Sequence, residues 1–257
     1  MRAIAFVDHE IGYRLLQEML APGLRGKISL LAVVTSRENG TDWWPGVEAL
    51  VRESALPLLR YPDDGHRLLE FGPVDFFFLL SWKYLMPPDV LSVPKIGVLN
   101  LHYSLLPKYR GVYPVNWAII KGETETGVTF HWVNSGIDSG PIACQKNLPI
   151  LPEDTARTLQ LRMDDLACVL FDELICSLKN HGHHLLNNPT SNHPSAYFSR
   201  EIFELANEID FKKDYPTKDL INLLRGKTFL PHGKHAYFRD PTTRRKIYLS
   251  LVLKAEE

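Results

Sequence analysis

The sequence predicts an α/β protein: a Rossmann-like, mostly parallel sheet with helices on both faces, followed by a small C-terminal extension ending in a β-hairpin. Three observations carry that reading. Short runs that are apolar on both faces recur at Ala3 to Val7, Ile28 to Thr35, Leu58 to Tyr61 and Val74 to Leu80, and strands of that kind are buried on both sides. Between them lie segments with helical spacing, the first from Ile11 to Leu20; strands alternating with helices imply parallel pairing through crossovers. The character of the chain then changes after residue 180. His181 to Ser195 is polar and holds Gly, Pro, Asn and Ser, which reads as a linker between a core (1–180) and an extension (196–257).

The remaining elements follow in order. Asp42-Trp43-Trp44-Pro45 opens a helix to about Ser54, a short helix lies near His66, and another covers Pro88 to Leu91. From Val98 to Ser104 apolar and polar residues alternate with a period of two, so a strand is expected there. Leu106-Pro107 ends it and Arg110-Gly111 turns the chain. A helix (Val115 to Lys121), a strand (Gly127 to Val133), a loop (Asn134 to Gly140) and a strand (Ile142 to Ile150) follow. Thr155 begins a long amphipathic helix ending near Asn180, with Leu159, Leu166, Leu170 and Leu174 on its buried face. The extension holds a helix (Thr217 to Arg225) and a hairpin of Ala236 to Arg239 with Lys246 to Leu253, joined by Asp240-Pro241-Thr242-Thr243.

Composition excludes several classes of function. A formal net charge of −1 over 257 residues gives no general pull toward nucleic acid or an anionic membrane. No apolar run reaches the length of a membrane span, and Met1-Arg2-Ala3-Ile4 leads straight into a strand, so a cytoplasmic protein is expected. Cys144, Cys168 and Cys176 lack metal-ligand spacing. His181, His183, His184 and His193 lie in the polar linker without carboxylate or cysteine support, so they read as surface residues and no metal is expected. The first strand-to-helix loop, Asp8-His9-Glu10-Ile11-Gly12, has neither GxGxxG nor a Walker A motif, and its two acids would repel a phosphate.

One constellation remains. Asn100 and His102 share a face near the carboxyl end of a strand, about 7 Å apart, where ligands of open parallel sheets bind. Asp138 sits in a glycine-flanked loop able to fold back over them. A carboxamide can hold an oxyanion, an imidazole can take or share the proton of an attacking amine, and a carboxylate can fix the imidazole's tautomer. The same residues also admit a purely structural role, bonding the strand end and shaping a turn. Trp82, Tyr84, Leu85 and Met86 can wall an apolar slot for a flat ring system.

Several motifs in one order resemble a known family. Asn100-Leu101-His102, Ser104 to Gly111, Pro114 to Ala118, Gly122 to Thr129, His131 and Asp138-Ser139-Gly140-Pro141-Ile142 are similar to the 10-formyltetrahydrofolate-dependent formyltransferases over roughly residues 74 to 150. The resemblance implies that Asn100, His102 and Asp138 are catalytic. It further implies that Ser81, Trp82, Tyr84, Leu85, Met86 and the loop Asn134, Ser135, Gly136, Ile137 bind the folate co-substrate, 10-formyltetrahydrofolate.

Within that family the acceptor is a purine precursor, methionyl-tRNA, a nucleotide-linked amino sugar, or water. The acidic Asp8-His9-Glu10 loop is unlike the glycine-rich phosphate loop of the ribotide enzymes, and a short non-basic tail argues against tRNA. The motif Gly122 to Thr129 is especially similar to the module that modifies UDP-linked aminoarabinose. The resemblance therefore implies a nucleotide-sugar acceptor, with a methionyl-tRNA enzyme lacking a full second domain, or a non-catalytic binding domain, as alternatives. Lys83 and Arg110 are candidates for its phosphates, and Tyr197, Phe198 or Tyr237 for stacking on its base. The apolar strand Ile247 to Leu253 suggests a homodimer contact.

Overall fold

The computed structural model describes residues 1–36, 45–182, 196–210, 212–229 and 236–254. Most of the expected linker, with His183, His184 and His193, lies outside these. The elements in chain order are β1 (Arg2–Val7), α1 (His9–Leu20), α2 (Pro22–Arg25), β2 (Ser29–Ser36), α3 (Glu48–Glu53), β3 (Leu58–Tyr61), β4 (Phe76–Leu80), α4 (Pro88–Leu91) and β5 (Gly97–His102). They continue with β6 (Arg110–Gly111), α5 (Pro114–Ile120), β7 (Glu125–Trp132), β8 (Ile142–Pro149), α6 (Ala156–His181), β9 (Tyr197–Phe198), α7 (Arg200–Leu205), α8 (Thr217–Lys227), β10 (Tyr237–Arg239) and β11 (Lys246–Tyr248). The chain forms two compact units. The first is Met1–His102, Thr129–Gln145 and Leu166–Thr190; the second is Tyr103–Val128, Lys146–Asp165 and Ser191–Glu257.

The sheet has the order β3-β2-β1-β4-β5-β7-β8. The pairings β2–β3, β1–β2, β1–β4 and β4–β5 are parallel, and β7 lies antiparallel to β5. In the first unit the period of two divides the core cleanly between the faces. Ile4, Phe6, Phe77 and Leu79 join Ala32, Val34 and Leu59 in one buried cluster. Phe78, on the alternate face of β4, meets Phe171 of α6 edge-on at 5.6 Å, and Phe130 of β7 packs on the same ring. Each such buried phenyl contributes roughly 1.5–3 kcal/mol by leaving water. Asp8, which ends β1, is buried and its Oδ1 accepts hydrogen bonds from Ser36 Oγ (2.8 Å), Ser36 N and Thr35 Oγ1. The acid in the first loop ties the ends of β1 and β2 together.

Four expectations need correction. β5 stops at His102, because Ser104 is buried in a turn with its hydroxyl donating to the Lys108 carbonyl at 2.6 Å. Arg110-Gly111 is a two-residue strand rather than a turn, paired in parallel with Tyr197–Phe198. The close approach requires glycine: Gly111 has φ +95°, and a Cβ there would lie 2.3 Å from the Phe198 carbonyl oxygen. The helix expected from Asp42 begins at Glu48, with 42–44 outside the described residues. The last strand is only Lys246–Tyr248, since the Leu251 amide leaves the hairpin to bond Thr228 Oγ1.

In the second unit α5 packs against α8, and Trp117 meets the rings of Phe198 (4.6 Å) and Phe203 (5.8 Å). Arg225 is buried and donates to the carbonyls of Asp154 and Leu151, fastening α8 to the turn before α6. Lys227 is 2% exposed, donates to the Phe203 carbonyl at 2.6 Å and lies over that residue's ring. Loss of hydration brings its amine down to about 7. The unfolded lysine keeps its proton to about pH 10.4, so between those values the unfolded chain binds more protons and rising pH favours the fold. Urea titrations should therefore find the stability of the wild type, minus that of Lys227→Met, rising from about pH 7 to about pH 9. A flat or falling difference would refute the neutral amine.

Candidate active site

The site is built on β5. Asn100 and His102 lie on one face, and the antiparallel register sets Asn100 opposite His131 and His102 opposite Thr129 on β7. Residues directly opposite in such a ladder share a face, so His131 projects beside Asn100. Asn100 Nδ2 lies 3.0 Å from His131 Nε2, and His131 Nδ1 lies 2.9 Å from the Trp132 carbonyl oxygen. A carbonyl only accepts, so Nδ1 carries a proton. In the neutral ring Nε2 is then an acceptor and takes an N–H of Asn100.

Asp138 completes the group. Its Oδ2 is 3.5 Å from His102 Nδ1 and its Oδ1 is 3.4 Å from His131 Nε2. One carboxylate thus stands between two imidazoles whose centroids are 6.4 Å apart and nearly perpendicular. All four groups belong to the first unit. Both histidines are buried, and the Asp138 side chain is 14% exposed, so solvent screens these contacts weakly. The Asp138 oxygen faces the same Nε2 lone pair that Asn100 uses, so attraction across that gap requires a proton on one of the two partners. Nδ1 is the His102 ring nitrogen turned toward the acid.

The loop that presents Asp138 folds on its own side chains. Asn134 Oδ1 accepts from Gly136 N (3.0 Å) and Ser139 Oγ (2.8 Å), and Asp138 sits at φ +46°. Gly140 lets the chain return against β7: a Cβ there would lie 1.7 Å from the Trp132 carbonyl oxygen. The Trp132 amide donates to the Pro141 carbonyl immediately afterwards. Sequence reasoning left His131 out of the catalytic set. The alternation of Gly127 to Val133 was visible, but its pairing with β5 was not.

The expected folate segment follows β4. Ser81 has φ +63° and its hydroxyl meets His9 Nδ1 at 3.0 Å. Trp82 packs edge-on against Phe6 (5.2 Å) and Tyr61 (5.5 Å), with Tyr84 at 5.4 Å. Its Nε1 is buried with no hydrogen-bond partner among the described residues. Met86 packs on the same cluster, whereas Leu85 is 76% exposed and Lys83 is exposed with its amine over the Tyr84 ring. Ser135, Gly136 and Ile137 are exposed beside Asn134. Arg110, Tyr197, Phe198 and Tyr237 belong to the second unit. The β6–β9 pairing brings the first three together. Phe198 is committed to Tyr109 (5.5 Å) and Trp117, while Tyr197 is 45% exposed. The Tyr237 hydroxyl donates to Glu208, and Lys246 lies over its ring at 4.3 Å. Among the described residues no cluster of His, Cys, Asp and Glu could hold a metal ion, and no helix is long and apolar enough to cross a membrane.

Residues 38–175 match the family model described as formyl transferase. The chain belongs to the formyl transferase family. It is a formyltransferase, and the carboxamide, imidazoles and carboxylate all fall within the matched region. Residues 203–255 match a second model, the N-formyltransferase dimerization C-terminal domain. The fold is that of a sugar N-formyltransferase from a Shewanella species (20% identity, TM-score 0.79, covering 100% of this chain and 99% of that one). It is also that of a 4-N formyltransferase from Francisella tularensis (20% identity, TM-score 0.80, 99% and 98%). An N-formyltransferase from Helicobacter canadensis, in complex with folinic acid and dTDP-3-aminofucose, is 25% identical with TM-score 0.70 over 88% of this chain and 79% of that one.

Since a Cβ at Gly140 would overlap the Trp132 carbonyl oxygen, Gly140→Ala should cost about 1–3 kcal/mol of stability. It should also lower kcat more than it raises KM; an alanine variant with unchanged kcat would contradict this role for the turn.

Proposed function

We propose that this formyltransferase moves the formyl group of 10-formyltetrahydrofolate onto the amine of a nucleotide-linked amino sugar. The observation that carries the chemistry is the Asp138 carboxylate within 3.5 Å of both His102 and His131, beside the Asn100 carboxamide. The neutral amine attacks the formyl carbon, and the free N–H of Asn100 holds the oxyanion, alone or with protonated His102. A base, His102 or Asp138, takes the amine proton, a proton is delivered to N10, and the formyl C–N10 bond breaks as tetrahydrofolate leaves. The donor assignment is supported by the folinic acid bound to the Helicobacter canadensis relative, and the acceptor assignment by the dTDP-3-aminofucose in the same complex.

The Ser81 to Met86 segment and the Asn134 to Ile137 loop are the proposed folate-binding residues. Trp82 and Met86 do so as packed floor rather than as free walls, because both already rest on the core. Lys83 and Arg110 are the proposed phosphate ligands. Of the three aromatic candidates Tyr197 keeps the most open ring, so it is the proposed partner of the base. Phe198 and Tyr237 are the weaker choices, both engaged with neighbours. No metal, nucleic acid or membrane takes part in this reading, and the protein is proposed to be cytoplasmic. Formylation should be seen with purified protein, 10-formyltetrahydrofolate and one member of a panel of dTDP-, UDP- and GDP-linked amino deoxy sugars. Asn100→Ala should lower kcat about 10²–10³-fold. Formylation of charged initiator tRNA but of no sugar would overturn the acceptor assignment. A rate lost below the pKa of His102 in wild type, with that limb displaced in Asp138→Asn, would assign the base to the imidazole.

We further propose that residues 1–180 carry the transfer, and that 196–257, joined by 181–195, form a homodimer contact. The match to a dimerization domain supports this, as do Leu205 (75% exposed), Tyr248 (54%) and Val252 (70%). Light scattering should give twice the 29.4 kDa chain mass, falling to one chain in Leu205→Glu with Tyr248→Glu. A monomeric wild type refutes it.

A further inference from the structure

The surface of the first unit holds a group the transfer does not use. Lys27, just before β2, donates to Cys176 Sγ of α6 at 3.1 Å. Asp172, one turn earlier on α6, lies 3.5 Å from the lysine nitrogen, and its other oxygen is 4.0 Å from the same sulfur. Cys176 is itself half-buried rather than buried and Asp172 beside it is 59% exposed, so the sulfur lies near the surface with the amine next to it. The other two cysteines are poor competitors. Burial pushes the Cys144 thiol up to about 12, which keeps it protonated and inert. Cys168 and Cys176 are eight residues apart on one helix, about 12 Å along its axis, beyond the reach of a disulfide.

We propose that Lys27 and Cys176 form a covalent nitrogen–sulfur link under peroxide, an oxidative modification site that pins the chain entering β2 to α6. The thiolate of Cys176 attacks hydrogen peroxide. An S–O bond forms, the O–O bond breaks, and the departing hydroxide leaves as water with the thiol's proton. The lysine releases its extra proton to solvent past Asp172, and its neutral amine attacks the sulfenic sulfur. The S–N bond forms, the S–O bond breaks, and hydroxide leaves as a second water with an amine proton. Sulfur loses two electrons and one peroxide becomes two waters. The hydrogen bond to Cys176 raises the pKa of Lys27, so condensation is the step that mild alkali speeds.

The test is peptide mapping of the full chain after hydrogen peroxide treatment at about pH 9, close enough to the lysine range to supply free amine. The expected product joins the peptides holding Lys27 and Cys176, is two hydrogen atoms lighter than their sum, and is undone by dithiothreitol. Lys27→Met and Cys176→Ser should each abolish it. In Lys27→Met with a wild-type circular dichroism spectrum and melting curve, the sulfenic acid of Cys176 should instead be trapped by dimedone. Wild-type Cys176 that proceeds to sulfinic acid unlinked, or that joins Lys179 on its own helix, overturns the assignment.

Discussion

A single carboxylate held between two imidazoles is the constraint on which the site depends. Stripping a carboxylate of water costs several kcal/mol unless charge or hydrogen bonds repay it. Asp138 is largely removed from solvent, and both histidines approach it at 3.4–3.5 Å. Removing either ring would take from the acid one of the partners that compensate it. The acid's place is in turn set by a loop that satisfies itself through Asn134 and by a glycine that lets the chain double back on β7.

The antiparallel insertion of β7 explains why an otherwise parallel sheet can assemble this group. A parallel neighbour reaches β5 only through a crossover, and its register is set far away in sequence. β7 instead runs against β5, so His131 meets Asn100 face to face and the loop after Trp132 folds back toward the same two side chains. One strand and its following loop thereby deliver two of the four groups. The rings of Phe76 and Phe78, stacked on each other, and of Phe171 and Phe130 pack β4, α6 and β7 together under them.

Much of this was legible in the chain, and the failures have a common cause. β3 and α4 fall where the apolar runs and Pro88 place them, and the alternation around Asn100 and His102 gave their shared face. These are local signals. What escaped was decided by contacts distant in sequence. Arg110-Gly111 becomes a strand only because Tyr197–Phe198 arrives beside it, and the last strand stops early because Thr228 captures the Leu251 amide. His131 escaped for the same reason: periodicity gives a residue its face, but not the strand it will oppose. Helix α7, by contrast, carried a readable signal in Ser199, whose hydroxyl accepts from Ile202 N.

The proton count of the site links its two halves. His131 commits Nδ1–H to the Trp132 carbonyl, so its Nε2 either accepts from Asn100 or, protonated, donates to Asp138. In the first state the Asn100 amide is turned with one N–H on the ring and the second N–H free for an oxyanion. In the second state the amide must present its oxygen to the imidazolium or lose the hydrogen bond. The location of one proton therefore governs both the hydrogen bond available to the acid and the way the amide is turned. A residue outside the apparent trio couples the two, because its ring touches both.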